Sequence, residues 1–233
     1  MAPRLALVFG ASAVIVSAWL WPRVVQASDD GAYGRLDGDL SVSVEAGISE
    51  AVGPEPYAGE ALATRLGLVY LQTVGIVGQW DEGLGVEALP MRRTFAGLVE
   101  LRPLFWGRFS ENMEQGPAFL DLFVDSFGLA VGMYGAWPRA RFCGGRGPGP
   151  PGRPPPDDGC PDYGMQAGIG FEIPLLPQAS APFIGLRGAM RWSLRDRTAA
   201  YDAPPVSGLL TLTLGYRHLF ETHIVDASDR LPP

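Results

Sequence analysis

The sequence predicts an all-β fold: an up-and-down antiparallel transmembrane β-barrel of eight strands, with a short amphipathic helix near 110–124. Three observations carry this. Seven segments of about ten residues place apolar side chains on every second position, the period of a strand. Their other faces are built from Gly, Ala and Ser with a few charges, and Lys is absent from the whole chain, unlike a surface meant for water. Of 233 residues 47% are hydrophobic and 18% charged, against about 25% charged in soluble domains. With 31 Gly and 22 Pro, this excludes a helical bundle, a coiled coil and a highly charged disordered chain. A net charge of −7 without a basic run leaves no electrostatic footprint for nucleic acid.

Residues 1–27 read as a secretory signal peptide. Met1 to Arg4 is a short basic start, Leu5 to Trp21 an uncharged apolar run, and Pro22 breaks it. Val25 and Ala27 then stand at −3 and −1 of a cleavage point before Ser28. An uncleaved anchor is the alternative that Pro22 and the cleavage site argue against. Residues 28–220 follow as the barrel and 221–233 as a C-terminal periplasmic tail.

The strand segments follow in order. In Asp39–Ser49, Leu40, Val42, Val44, Ala46 and Ile48 share one face, and Asp39, Ser41, Ser43, Glu45 and Ser49 the other. Ala61–Tyr70 sets Leu62, Leu66, Leu68 and Tyr70 against Ala63, Arg65, Gly67 and Val69. Arg93–Leu101 and Ser126–Trp137 alternate likewise, the second opposing Phe127, Leu129, Val131 and Met133 to Gly128, Ala130, Gly132 and Tyr134. Tyr163–Ile173, Pro182–Trp192 and Gly208–Phe220 complete the set. A soluble sandwich or barrel would turn the apolar faces inward, whereas a membrane barrel turns them to lipid. Small residues on the non-apolar faces suit a crowded lumen. Aromatics at segment ends (Tyr70, Trp80, Phe105, Trp106, Trp137, Trp192, Tyr216, Phe220) suit interfacial girdles.

Barrels of this kind use an even strand number, so an eighth strand is needed. Residues 60–80 can supply it as a hairpin, with Gly75–Trp80 as its second arm, although no Gly or Pro marks a turn at Leu71-Gln72-Thr73. Phe119–Val124 is the other candidate. Its neighbours Ser110, Glu111, Glu114, Asp121 and Asp125 suit an amphipathic helix at least as well, the two Asp forming its wet face. Either choice puts 51–59, 138–162 and 195–207 outside the cell, with shorter turns in the periplasm. Loop 138–162 is rich in Gly and Pro without a collagen period, hence a floppy or extended loop. Cys143 and Cys160 flank it and read as a disulfide in an exported protein; unpaired or metal-binding thiols are the alternative.

The last strand carries a more specific sign. Thr213, Gly215, Tyr216, His218 and Phe220 stand in an octet that resembles the terminal assembly signal of outer-membrane proteins: polar, any, Gly, two more, hydrophobic, any, aromatic. His218 departs from the hydrophobic position, and thirteen residues follow Phe220. With the strand pattern, the chain after residue 27 resembles the small OmpA/OmpX-like outer-membrane β-barrels of Gram-negative bacteria. The resemblance implies outer-membrane localisation and two partners, membrane lipid and the barrel-assembly machinery.

Parity also places charges on the inner faces: Glu45, Glu100 and Glu172 against Arg65, Arg102, Arg187, Arg191 and Arg217. Eight strands leave an interior just wide enough for side chains, where charges must pair. The expectation is a salt-bridge network that fills the lumen, with Arg187 and Arg191 nearest to Glu172; a polar channel or ligand site is the alternative. No cofactor or metal site is expected, and no hydrolase, zinc-protease or phosphate-loop motif occurs. Only His218 and His223 exist, and His218 falls on the lipid parity. The reading is therefore a non-enzymatic barrel with a structural or surface-interaction role. The alternatives are a membrane-embedded lipid-modifying enzyme and a narrow channel or solute binder.

Overall fold

Period-2 patterning produces eight strands in the computed structural model, which describes residues 38–52, 59–84, 91–111, 117–138, 161–194 and 206–222. They are β1 (Leu40–Val52), β2 (Gly59–Tyr70), β3 (Val74–Gly83), β4 (Met91–Leu101), β5 (Gly128–Pro138), β6 (Asp162–Pro174), β7 (Pro182–Ser193) and β8 (Val206–Phe220). Each pairs antiparallel with its sequence neighbours, and β8 returns to β1, so the sheet closes in the order β1 to β8. Closure leaves no edge strand. At the seam, Leu40 lies opposite Phe220 and Val52 opposite Gly208. Beyond it, Thr222 donates from its backbone N–H to Asp39 Oδ1 and from its hydroxyl to Asp39 Oδ2, both at 2.6 Å.

Burial follows parity with the inverted sign of a membrane barrel. Ser41, Ser43, Glu45 and Ser49 of β1 are buried, while Val44 and Ile48 are more than half exposed. On β8, Thr211 and Thr213 are buried and Leu210, Leu212 and Leu214 exposed. This apolar exterior continues round the barrel through Leu66, Ile76, Val99, Val131, Ile169 and Leu186. Trp80, Trp137 and Trp192 stand outward towards one end and Phe220 at the other, as interfacial girdles require. Phe105 is not a girdle residue. It is 1% exposed in a helix, because the chain leaves the barrel wall at Arg102.

The eighth strand comes from residues 59–83, which form the β2–β3 hairpin. The sequence hid its turn because Leu71 and Gln72 take φ values of 47° and 55° without being glycine. Two successive positive φ angles make a primed turn, whose twist matches that of the strands, and the Thr73 N–H bonds to the Tyr70 carbonyl at 3.0 Å. Phe119–Val124 is helical instead. Two helices, α1 (Pro103–Ser110) and α2 (Ala118–Asp125), replace the one expected near 110–124. β5 begins at Gly128 rather than Ser126, because Ser126 caps α2. This β4–β5 connection lies at the end that carries both Leu40 and Phe220, called here the terminal end, and not with the longer loops. The expected rule of short turns at that end fails here.

Residues 1–27, read from the sequence as a signal peptide, the segment between Cys143 and Cys160 with both cysteines, and the residues beyond Thr222 lie outside the described residues.

Candidate functional site

The lumen is where charge, burial and hydrogen bonding converge. Strands of period 2 aim every second side chain into one narrow space. Past Asp39 at the terminal mouth, its described charged residues are five arginines (Arg65, Arg102, Arg187, Arg191, Arg217) and five acids (Glu45, Asp81, Glu100, Asp162, Glu172).

Seven of the eight charged residues that parity placed inside form one cluster in the terminal half. Glu45 receives a bidentate pair from Arg187, at 2.6 Å to Oε2 and 2.9 Å to Oε1. It also accepts the Thr213 hydroxyl at 2.6 Å, and Arg65 Nε lies 3.5 Å away. Arg65 reaches on to Glu100, whose other oxygen takes Arg102 Nε at 2.9 Å. Glu172 is the node. Arg102 contacts both its oxygens, at 2.6 and 3.3 Å; Arg217 Nη1 lies at 2.7 Å and Arg187 Nη2 at 3.4 Å. Planar guanidinium forks suit carboxylates bidentately. Space for the forks comes from glycine. A Cβ on Gly185 would collide with Arg187 Nη1 and come within 2.9 Å of Glu45 Oε2, and one on Gly215 would lie 2.8 Å from Glu45 Cγ.

Arg191 does not join this cluster. One strand turn nearer the loop end, it donates to Asp81 Oδ2 and to Gln166 Oε1, each at 2.7 Å. Gln79 Nε2 and Ser49 Oγ bond to the same Asp81. Asp81 was missed in the sequence because its strand was itself in doubt. At the loop-end mouth Asp162 accepts Tyr134 Oη at 3.1 Å and Ser193 Oγ at 2.7 Å. Between the two charge clusters a cavity of about 30 Å³ is lined by Arg65, Gln79, Glu100, Gln166, Arg187 and Thr211, room for a water or two.

At the terminal end a small apolar cluster is buried. Leu122 of α2, Ala179 of the β6–β7 turn and Leu219 of β8 are buried together. The turn is held by Arg217 Nε to the Ala179 carbonyl at 2.9 Å and by the Leu219 N–H to Ser180 Oγ at 3.1 Å. Asp121 and Asp125 are not a wet helix face. They are 1% and 5% exposed, and Arg108 of α1 donates to both, to Asp125 Oδ1 at 2.8 Å. Partial burial pulls the Arg108 guanidinium down, but the hydrogen bond to Asp121 and the Asp125 charge more than offset this and hold it above its ordinary value.

The terminal octet lies within β8. Thr213 and Gly215 face the lumen at the Glu45 site, Tyr216 is half-buried on the outer parity, and His218 and Phe220 point outward. The His218 and Phe220 rings meet edge to face at 4.6 Å. His223 lies outside the described residues. Among the described residues no three His, Cys, Asp or Glu side chains gather as a metal site would need.

An apolar exterior around a closed, polar-lined barrel makes this an outer-membrane-type β-barrel protein. No protein-family profile and no curated protein matches the sequence. Among solved structures, the chain is similar to the N-terminal β-barrel domain of Pseudomonas aeruginosa OprF (11% identity, TM-score 0.43, covering 78% of this chain and 99% of that one). It is also similar to Ail, the attachment invasion locus protein of Yersinia pestis (10%, TM-score 0.40, 78% and 99%), and to the outer-membrane enzyme PagL (15%, TM-score 0.27, 77% and 99%). At these scores the likeness says nothing about activity.

Proposed function

We propose that this chain is a structural or surface-interaction protein of the outer membrane, a barrel whose lumen its own side chains close and whose loops opposite the terminal end face the outside. The observation that carries the reading is the charge balance of the lumen. Five arginines face five acids, and their hydrogen bonds run to one another rather than into an open path. An ion crossing here would have to separate buried pairs, at a cost of several kcal/mol each. The Leu122, Ala179 and Leu219 cluster adds buried apolar packing at the terminal end. On this reading residues 1–27 are a cleaved signal peptide, Cys143 and Cys160 form a disulfide across loop 138–162, and the β8 octet is presented to the assembly machinery.

The test is planar-bilayer recording of protein refolded into lipid, with the fold checked by the mobility shift between unheated and heated gel samples. No discrete conductance is expected from heat-modifiable protein. Reproducible unitary steps that change ion selectivity on Arg187→Glu would overturn the closed lumen.

A further inference from the structure

The strands do not end level at the terminal end. The β5–β6 ladder stops at Gly128 opposite Gly170, but β6 continues to Pro174, paired on its other side with Phe183 of β7. Residues 171–174 of β6 therefore have no β5 strand beside them, and the segment around α2 occupies that place. Ser126 Oγ accepts the Glu172 N–H at 2.8 Å. On the outer parity Phe123 stacks on Phe171 at 5.6 Å between centroids, and Phe127 meets the same ring at 5.3 Å.

The helix held there is inside out by the standard of a helix in water, which buries its apolar stripe and exposes its charges. In α2 the two acids are buried with Leu122, while Phe119 and Leu120 are 49% and 54% exposed. The adjoining β6–β7 turn does the same. Its Ala179 packs on Leu122, while Leu175 and Leu176 are 43% and 47% exposed. Leu175 prolongs the outward series Ile169, Phe171 and Ile173 of β6 by one more step. The four exposed side chains thus extend the apolar exterior of the barrel past the end of its wall, on the side where Phe123 stacks on Phe171.

From this continuity we propose that the α2 face and the β6–β7 turn are seated in the lipid leaflet on the terminal side, where phospholipid acyl chains meet their headgroups, as an interfacial foot of the barrel. The inference rests on the barrel being in a membrane. Because the patch is exposed and apolar like the wall that it prolongs, the medium that covers the wall is the occupant proposed, and a protein partner or a second copy is an outcome of the test.

The test uses the full chain in a Cys143→Ser, Cys160→Ser background, refolded into phosphatidylethanolamine–phosphatidylglycerol vesicles. Nitroxide labels are placed singly at Leu120→Cys and Leu176→Cys, with Leu212→Cys as the wall control and Glu221→Cys as the water control. Collision rates with oxygen and with a water-soluble nickel chelate are compared. At 120 and 176 oxygen is expected to exceed the chelate by a ratio between those of the two controls. A ratio equal to that at 221 would overturn the proposal by placing the face in water. Protection from both reagents would overturn it by showing a protein cover, and dipolar broadening would identify that cover as a second copy. A label at 212 that favours the chelate would instead refute the membrane reading itself. All four sites are exposed, so none asks the interior to repack, and gel mobility verifies each barrel.

Discussion

The Ser126 hydroxyl accepts the backbone N–H of Glu172 at 2.8 Å and lies 3.1 Å from the Glu172 carbonyl oxygen. A side chain thereby meets a peptide group that a ladder partner would otherwise satisfy. The carboxylate of the same Glu172 gathers Arg102, Arg187 and Arg217, so the α2 cap and the lumen cluster share one residue.

Ser126→Ala should leave that buried N–H without an acceptor and cost about 1–3 kcal/mol. Urea unfolding from vesicles measures it. An unchanged midpoint would mean that another group replaces the hydroxyl.

Glu172→Ala should destabilise the barrel by about 3–5 kcal/mol, since three arginines lose a shared counter-charge in a buried setting. Double-mutant cycles are expected to show coupling to Arg102 and Arg217, weaker coupling to Arg187, and none to Arg191, which belongs to Asp81. Strong coupling to Arg191 would contradict the arrangement.

Leu212→Arg should cost about 2–4 kcal/mol if the site is near the bilayer midplane, and Thr211→Ala, its neighbour on the lumen side, much less. Leu212 is 49% exposed and Thr211 5%, so a water-soluble barrel would tolerate the arginine better. Folding yield into vesicles distinguishes the two.

Leu71→Asn with Gln72→Gly should stabilise the β2–β3 turn by about 1–3 kcal/mol, because each non-glycine residue at positive φ costs about 1–2 kcal/mol and Asn-Gly favours the primed turn. Loss of the half-buried Leu71 and the buried Gln72 side chains works against the gain. A lowered urea midpoint would show that packing, not backbone strain, governs the turn.

Much of this architecture is legible in the sequence because one rule, side chains alternating across a strand, generates both faces at once. It puts Glu45, Glu100 and Glu172 inside with Arg65, Arg102, Arg187 and Arg217 from parity alone. What it could not supply was partner choice, which depends on strand stagger: Arg191 lies opposite Gln166 and so reaches Asp81 instead of Glu172. Nor could it find the Leu71-Gln72 turn, whose residues lack the usual glycine. Asp121 and Asp125 were misread for a deeper reason. Polar-out is a rule for a helix without a buried partner, and in α2 both acids turn inward to the Arg108 guanidinium.

The Asp39–Thr222 clasp joins residues 183 positions apart, and the ladder behind it ties the first strand to the last. Contacts of such sequence separation form slowly, since the whole intervening chain must be confined before they give any return. Until β8 meets β1, both strands present unpaired N–H and C=O groups, a template for any other chain within reach. The kinetic vulnerability of this protein therefore sits at one vertical line on its wall. Whatever hastens the meeting of β1 and β8 shortens the interval during which the molecule can be lost to aggregation.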